Sequence, residues 1–407
     1  MTCRPSRGWR RSKVRSGTTP LAKRRRLKTS SAMAAWTACD FGTSWGNSCI
    51  FTKCENLIKF AGSIWTGEEY GLNYTLSLAQ RFSKAGYKIF LDMHFSDTWA
   101  QPSDQQTPSA WDSSSVDTLA AACRKHVSST LKAFTEGGVE LDILSIGNEI
   151  TDGFLYPTGK ISNDDFSGFG KLWKAARDGV TDAVSAGTKQ PKVMIHLDNG
   201  WKSETVSWFF KGLFADGTVT TDDVDVFGFS FYPYYNVNAT LAALTASLTQ
   251  MANTYNKPIY VAETDWPTNC STVTLSEKYA VNAKGQREWV MAIMDVLEGL
   301  PNGLGAGVFY WEPGYISVPG LGSACGSNLL FSVNWDSWPD THATALSSVY
   351  MFSEGSSAQQ PTNSSQQTQT DFSLLSQGSS AQQSSGTSTQ QSGVSNELQS
   401  DSSSVQQ

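Results

Sequence analysis

The chain has 407 residues, 39% of them hydrophobic, which is enough for one large hydrophobic core. Its formal net charge is −6, but the first thirty residues hold eleven Lys and Arg and no acid. The rest therefore carries 20 bases against 37 acids, a net charge of −17. An acidic body argues against nucleic acid as a partner, because phosphate contacts require a basic surface.

Residues 1–55 are predicted to be an atypical basic segment. They contain no apolar run of the length that a secretory signal needs. KRRRLK at 23–28 is typical of a nuclear signal, and the Arg/Ser-rich composition is also typical of a transit peptide. A disordered start or a misassigned translation start accounts for the same residues. No apolar stretch of the chain reaches the roughly 20 residues that a membrane span requires, so we expect no membrane partner.

From residue 56 onwards, apolar runs alternate with segments of helical periodicity. Strands are predicted at 56–65, 87–95, 141–149, 192–199, 225–233, 258–266 and 305–313. Helices are predicted from 72 to a stop at 86, then at 116–136, 165–186, 203–214, 241–251, 284–298 and 341–352. This alternation indicates a parallel sheet. Of the eight strands that a closed (β/α)8 barrel needs, the first would have to come from residues 1–55.

Residues 355–407 are rich in Ser and Gln and repeat GSSAQQ. Such a segment has too few large apolar residues to offset its chain entropy, so we predict a disordered tail. The predicted organisation is therefore a basic segment (1–55), a (β/α)8 catalytic domain (56–354) and the tail (355–407).

Two predicted strands end near a glutamate, Glu149 in LDILSIGNEI and Glu263 in PIYVAETDW. The 114 residues between them divide into three units of 38, which fits the fourth and seventh strands of an eightfold barrel. Paired carboxylates at a barrel mouth are the catalytic groups of glycoside hydrolysis, whereas a single such glutamate is more often a salt-bridged acid. Asn148, just before Glu149, carries an amide suited to a sugar hydroxyl.

Six segments together resemble the strand-end motifs of the arabinogalactan endo-β-1,4-galactanases, which are retaining (β/α)8 glycoside hydrolases of clan A. They are LDMHFSDTWAQP (91–102), SIGNEI (145–150), IHLDNGW (195–201), SFYPYYN (230–236), ETDWP (263–267) and YWEP (310–313). The resemblance implies that Glu149 is the acid/base and Glu263 the nucleophile. It also implies internal cleavage of the β-1,4-galactan of pectin and type I arabinogalactan by an extracellular enzyme. We expect a monomer that needs no cofactor and holds no metal.

The same resemblance implies roles for further residues at the barrel mouth. Tyr232 is expected to hydrogen-bond the nucleophile, and Trp311 to floor the subsite of the cleaved sugar; core packing is the alternative for each. For His94 with Asp92, and for Trp99, His196 and Asp198, substrate contact and structural support both remain open. Cys270 and Cys325 are expected to form a disulfide, with two free thiols as the alternative.

One position departs from the family pattern. Ser63 lies where these enzymes carry an arginine beside the nucleophile. Loss of that cation changes the electrostatics of the nucleophile, so two alternatives to a galactanase stay open. One is another clan A β-glycanase acting on mannan or glucan, and the other is a catalytically impaired sugar-binding relative.

Overall fold

The computed structural model of the protein describes residues 57–63, 71–97, 99–314, 323–336 and 342–352. Within them, seven strands form one parallel sheet, and their order across the sheet is their order along the chain. The strands are β1 (Leu57–Ser63), β2 (Lys88–His94), β3 (Leu141–Ile146), β4 (Lys192–Leu197), β5 (Val226–Ser230), β6 (Ile259–Thr264) and β7 (Gly305–Tyr310). A sequentially wound, all-parallel sheet is the arrangement of a (β/α)8 barrel.

Six α-helices connect these strands. They are α1 (Leu72–Lys84), α2 (Val116–Glu136), α3 (Ser167–Ser185), α4 (Ser203–Leu213), α5 (Leu241–Tyr255) and α6 (Ala283–Glu298). Three begin at a polar side chain whose oxygen accepts a hydrogen bond from a backbone N–H three residues later, at Ser115, Thr240 and Asn282. None of the helices in the described ranges is long and apolar enough to cross a membrane.

The sheet is covered on one side by helices and filled on the other by side chains of its own strands. Every residue of β5, β6 and β7 is buried, which explains why these strands are near-continuous apolar runs rather than alternating ones. The few polar residues within such strands are therefore conspicuous. They lie close to the carboxyl ends of the strands.

The seven predicted strands are confirmed, but each ends one to three residues earlier than its sequence pattern suggests. The difference arises because the chain leaves the sheet in tight turns just where the polar residues begin. Glu149 and Glu312, beyond β3 and β7, have φ of 50° and 49°, a conformation that no strand continues through. The first strand of a closed barrel, expected in residues 1–55, lies outside the described residues.

The predicted helix at 341–352 is wrong. His342–Ala345 is a strand, β9, paired antiparallel with β8 (Phe331–Asn334), and a 3-10 turn follows at Ser347–Tyr350. The segment is short for a helix, and the neighbouring strand provides partners for its backbone groups. The Ser348 hydroxyl then donates a 2.6 Å hydrogen bond to the buried side chain of Gln286 in α6, which ties this segment to the barrel.

Candidate active site

The carboxyl ends of the parallel strands form one rim, where barrel enzymes carry their active sites. Eight of the predicted site residues lie at or just beyond these strand ends. In chain order they are His94 at the end of β2, Trp99 in the following loop, Asn148 and Glu149 after β3, Asp198 after β4, Tyr232 after β5, Glu263 in β6 and Trp311 after β7.

Glu263 is held from two directions. It is 7% exposed, and the Tyr232 hydroxyl donates a 2.8 Å hydrogen bond to its Oε2. The backbone N–H of Phe231 donates to the Glu263 carbonyl at 2.8 Å, which fixes the two strand ends together. Burial, and then the charge of Glu263, raise the pKa of Tyr232 well above its ordinary value. The tyrosine therefore keeps its proton and remains a hydrogen-bond donor to the carboxylate.

Glu149 lies on the turn that leaves β3 and is less buried than Glu263. Its left-handed backbone costs on the order of 1–3 kcal/mol for a residue other than glycine, and such conformations concentrate at functional sites. The next residue, Ile150, donates its backbone N–H to the His196 carbonyl on β4 at 3.0 Å, which anchors the turn.

Both carboxylates face the same two tyrosines. Burial is the first cause that raises the pKa of Tyr232 and of Tyr235, and the charges of Glu149 and Glu263 both add to it. Both carboxylates therefore lie near this pair of hydroxyls, as expected of a carboxylate pair that acts on one sugar linkage.

The loop after β2 fixes the orientation of the Asn148 side chain. The Asn148 Nδ2 donates to the Ala100 carbonyl at 2.9 Å, and the Asn148 carbonyl accepts from Gln105 Nε2 at 2.8 Å. Its Oδ1 has no hydrogen-bond partner within the described part of the chain, although the residue is buried. The amide thus presents an acceptor for a polar ligand beside Glu149.

Aromatic rings surround the carboxylates. Trp99 is 38% exposed and contacts His94 edge to face at 5.6 Å, while Trp311 contacts Tyr232 edge to face at 6.4 Å. Tyr235 is the most open of them at 58% exposed. Partly exposed rings beside buried acids are suited to the apolar faces of sugars.

The polar residues Asp198, Asp92 and His196 have different surroundings. Asp198 accepts hydrogen bonds from the Thr151 hydroxyl and from the Asn199 side chain, so its carboxylate organises the loop after β4. Asp92 contacts His196 on β4, and both residues are fully buried. His196 is therefore enclosed by protein and not open to solvent.

Asp92, His196 and Glu263 form a donor set that a metal ion such as zinc accepts. One potential ligand atom from each lies within 4.8 Å of the other two. Both ring nitrogens of His196 already have hydrogen-bond partners, Asp92 at 3.3 Å and Ser230 at 2.9 Å. We interpret the cluster as a buried hydrogen-bond network.

A disulfide joins Cys270 and Cys325, in the loops that follow β6 and β7, with Cα atoms 5.2 Å apart. Beside it, Asp265 is fully buried and accepts a 2.9 Å hydrogen bond from the Asn328 side chain. Burial raises the pKa of Asp265 well above its usual range, and the hydrogen bonds from Tyr234 and Asn328 oppose that shift. These contacts fix the segment just beyond Glu263.

Removal of the disulfide is expected to destabilise this rim. The bond closes a loop of 55 residues, so replacing both cysteines by alanine should lower the free energy of unfolding by about 2–4 kcal/mol. Thermal unfolding with and without a thiol reductant checks this result. The double variant serves as its own control, since its midpoint should not respond to reductant; a wild-type midpoint that is equally unresponsive contradicts the prediction.

The Tyr232 hydroxyl is expected to matter for turnover. Tyr232→Phe removes the donor to Glu263 and keeps the ring, so kcat should fall about 10–100-fold with a small change in KM. Tyr255→Phe, a distant tyrosine packed against Phe210 and Phe227, is the matched control and should leave kcat unchanged. Equal kcat values for the two variants contradict the prediction.

Some residues of the site carried no signal of their own in the sequence. Gln105 is a glutamine in a loop, a residue type found everywhere. Ser230 and Tyr235 fall inside the motif SFYPYYN and Asp265 inside ETDWP, and membership of these motifs was the available clue.

Comparisons with known proteins agree with this geometry. The family model described as glycosyl hydrolase family 53 matches residues 59–376. Arabinogalactan endo-beta-1,4-galactanase A of Aspergillus niger is 42% identical over 272 residues, covering 66% of this chain and 76% of the relative. Arabinogalactan endo-beta-1,4-galactanase of Humicola insolens is 36% identical over 293 residues, covering 71% and 83%.

Solved structures show the same fold. A chain from a study of two fungal beta-1,4-galactanases superposes with a TM-score of 0.66 at 34% identity, over 73% of this chain and 86% of that one. The Ignisphaera aggregans GH53 catalytic domain superposes with a TM-score of 0.59 at 27% identity, over 71% and 79%. The fold is a (β/α)8 barrel, and the chain belongs to glycosyl hydrolase family 53.

Proposed function

We propose that this protein is an endo-β-1,4-galactanase that cleaves galactan with retention of anomeric configuration. The observation that carries the proposal is Glu263, which is buried, accepts a hydrogen bond from Tyr232 and lies near the same two tyrosines as Glu149. The family supplies the class of reaction. Relatives named arabinogalactan endo-beta-1,4-galactanase support the substrate.

In the first step, Glu263 forms a bond to the anomeric carbon while the bond from that carbon to the glycosidic oxygen breaks. Glu149 donates a proton to the departing oxygen, which leaves as a hydroxyl group. In the second step, Glu149 removes a proton from water, the water oxygen bonds to the anomeric carbon, and the ester to Glu263 breaks. The two inversions give net retention.

The division of roles follows from the two environments. Glu263 is fixed by a hydrogen bond from a tyrosine, which suits a nucleophile that must attack in one orientation. Glu149 is more accessible to solvent, which suits a group that exchanges protons with the leaving group and with water.

A panel of polysaccharides tests the proposal. The protein is incubated with unbranched β-1,4-galactan, β-mannan and β-glucan, and new reducing ends are measured together with the fall in viscosity. We expect galactan to be preferred and its viscosity to fall early, as internal cleavage requires. Preference for mannan or glucan would contradict the substrate, and galactan binding without product would favour an impaired sugar-binding relative.

We also propose that the protein acts outside the cell. The disulfide between Cys270 and Cys325 supports this location, because such bonds persist in oxidising compartments. Finding the galactanase activity and the oxidised cysteine pair in the medium of producing cells tests it, and retention of the protein inside the cell contradicts it.

A further inference from the structure

A layer of polar side chains that includes Glu263 lies inside the barrel. Three alternate strands, β2, β4 and β6, contribute Asp92, His196 and Glu263, as expected for residues that share one interior layer. Interior layers of such barrels are normally filled by branched apolar residues. Burying polar groups in this position lowers the stability of the fold unless they are hydrogen-bonded, so their presence in this layer suggests a function.

His196 is the centre of this layer. Its Nδ1 lies 3.3 Å from Oδ2 of Asp92 and its Nε2 lies 2.9 Å from the Ser230 hydroxyl. In the neutral ring, the Nδ1–H donates to Asp92 and Nε2 accepts the hydroxyl hydrogen of Ser230, a tautomer assigned from these partners. Contacts on both edges prevent the imidazole from rotating.

The fixed ring lies close to the nucleophile. A ring nitrogen of His196 and a carboxylate oxygen of Glu263 lie within 4.8 Å, and Ser230 is paired with Glu263 in the register of β5 and β6. Tyr232 holds Oε2 of the same carboxylate. Glu263 thus accepts a hydrogen bond from Tyr232 and has the imidazole of His196 as a near neighbour.

We propose that His196, fixed by Asp92 and Ser230, is a positioning residue that sets the orientation of the Glu263 carboxylate for attack. This inference rests on the proposed function. The ring is fully buried, so its effect on the reaction passes through Glu263 and not through contact with the sugar. Loss of the ring should therefore lower kcat and leave KM nearly unchanged.

Three variants and one control separate positioning from general stability. His196→Ala removes both contacts, His196→Asn keeps a donor toward Asp92, and Ser230→Ala removes only the partner of Nε2. His126→Asn is the control, because His126 is a partly buried histidine on α2, packed against Phe95 and Trp111 and outside the strands that carry this layer. Circular dichroism and thermal unfolding establish which variants are folded.

The measurements are kcat and KM on galactan, together with the rate of inactivation by a 2-deoxy-2-fluoro galactoside, which reports the attack of Glu263 alone. We expect about a 100-fold fall in kcat for His196→Ala, with a parallel fall in the inactivation rate. Smaller losses, about 3–10-fold, are expected for His196→Asn and Ser230→Ala, and none for His126→Asn.

Two results overturn the inference. One is a folded His196→Asn or Ser230→Ala protein whose kcat and inactivation rate stay within about twofold of wild type. The other is a raised KM with unchanged kcat, which indicates sugar contact. If the His196 variants fail to fold, Ser230→Ala decides alone. Wild-type protein that cleaves no galactan instead contradicts the proposed function, which separates the two failures.

Discussion

Replacing Glu263 by glutamine is expected to abolish galactan hydrolysis, with kcat falling by about 10⁴-fold or more. An amide has the shape of the carboxylate but cannot form the glycosyl ester. The Tyr232 hydroxyl can still donate to the amide oxygen, so the fold and substrate binding should persist. The measurement is the initial rate at which reducing ends are released from galactan. Thermal unfolding verifies that the variant is folded.

The matched control is Glu204→Gln, the same chemical change on the exposed face of α4. It should leave kcat unchanged. A Glu263→Gln protein that retains turnover within about tenfold of wild type contradicts the assignment. Azide gives a second readout, because in Glu263→Ala it enters the space of the lost carboxylate and should form a galactosyl azide of α configuration.

Replacing Glu149 by glutamine is expected to give a loss that depends on the leaving group. Galactan needs a proton on the departing oxygen, so its hydrolysis should fall by about 10³-fold or more. With a dinitrophenyl galactobioside as substrate, the dinitrophenolate leaves without needing a proton. Formation of the glycosyl ester should therefore stay fast and release a burst of dinitrophenolate. The second step should then be slow, since no base activates the water.

The burst separates the two acids experimentally. Stopped-flow absorbance measures its amplitude against the enzyme concentration, and added azide should accelerate turnover with formation of a β-galactosyl azide. Glu263→Gln should show no burst under the same conditions. If Glu149→Gln loses activity equally on galactan and on the dinitrophenyl galactobioside, the role of Glu149 as the acid/base is contradicted.

The strands were predictable because a parallel sheet covered by helices produces apolar runs, as in PIYVAETDW around β6. The helix predicted at 341–352 failed because that segment pairs with Phe331–Asn334, and a pattern within the segment contains no information about that partner. Glu149 and Glu263 were identifiable because each is an acid at the end of such a run.

The interior network was beyond prediction for a related reason. Asp92 and His196 are 104 residues apart, and which of their neighbours they contact depends on the register and tilt of strands between them. Ser63, where the family pattern has arginine, ends β1 in register with His94, so the departure from the pattern lies at the same rim. The activity measurements above determine whether the site functions with that change.

The account depends on Glu263 becoming covalently bonded to the sugar. Incubation with a 2-deoxy-2-fluoro galactobioside that carries a good leaving group should trap this ester, because the fluorine slows its hydrolysis. Mass spectrometry of the digested protein is predicted to find the glycosyl mass on the peptide that contains Glu263, and no labelling in Glu263→Gln. A label on another carboxylate, or galactan cleavage that yields the α-anomer as first product, would contradict the central claim.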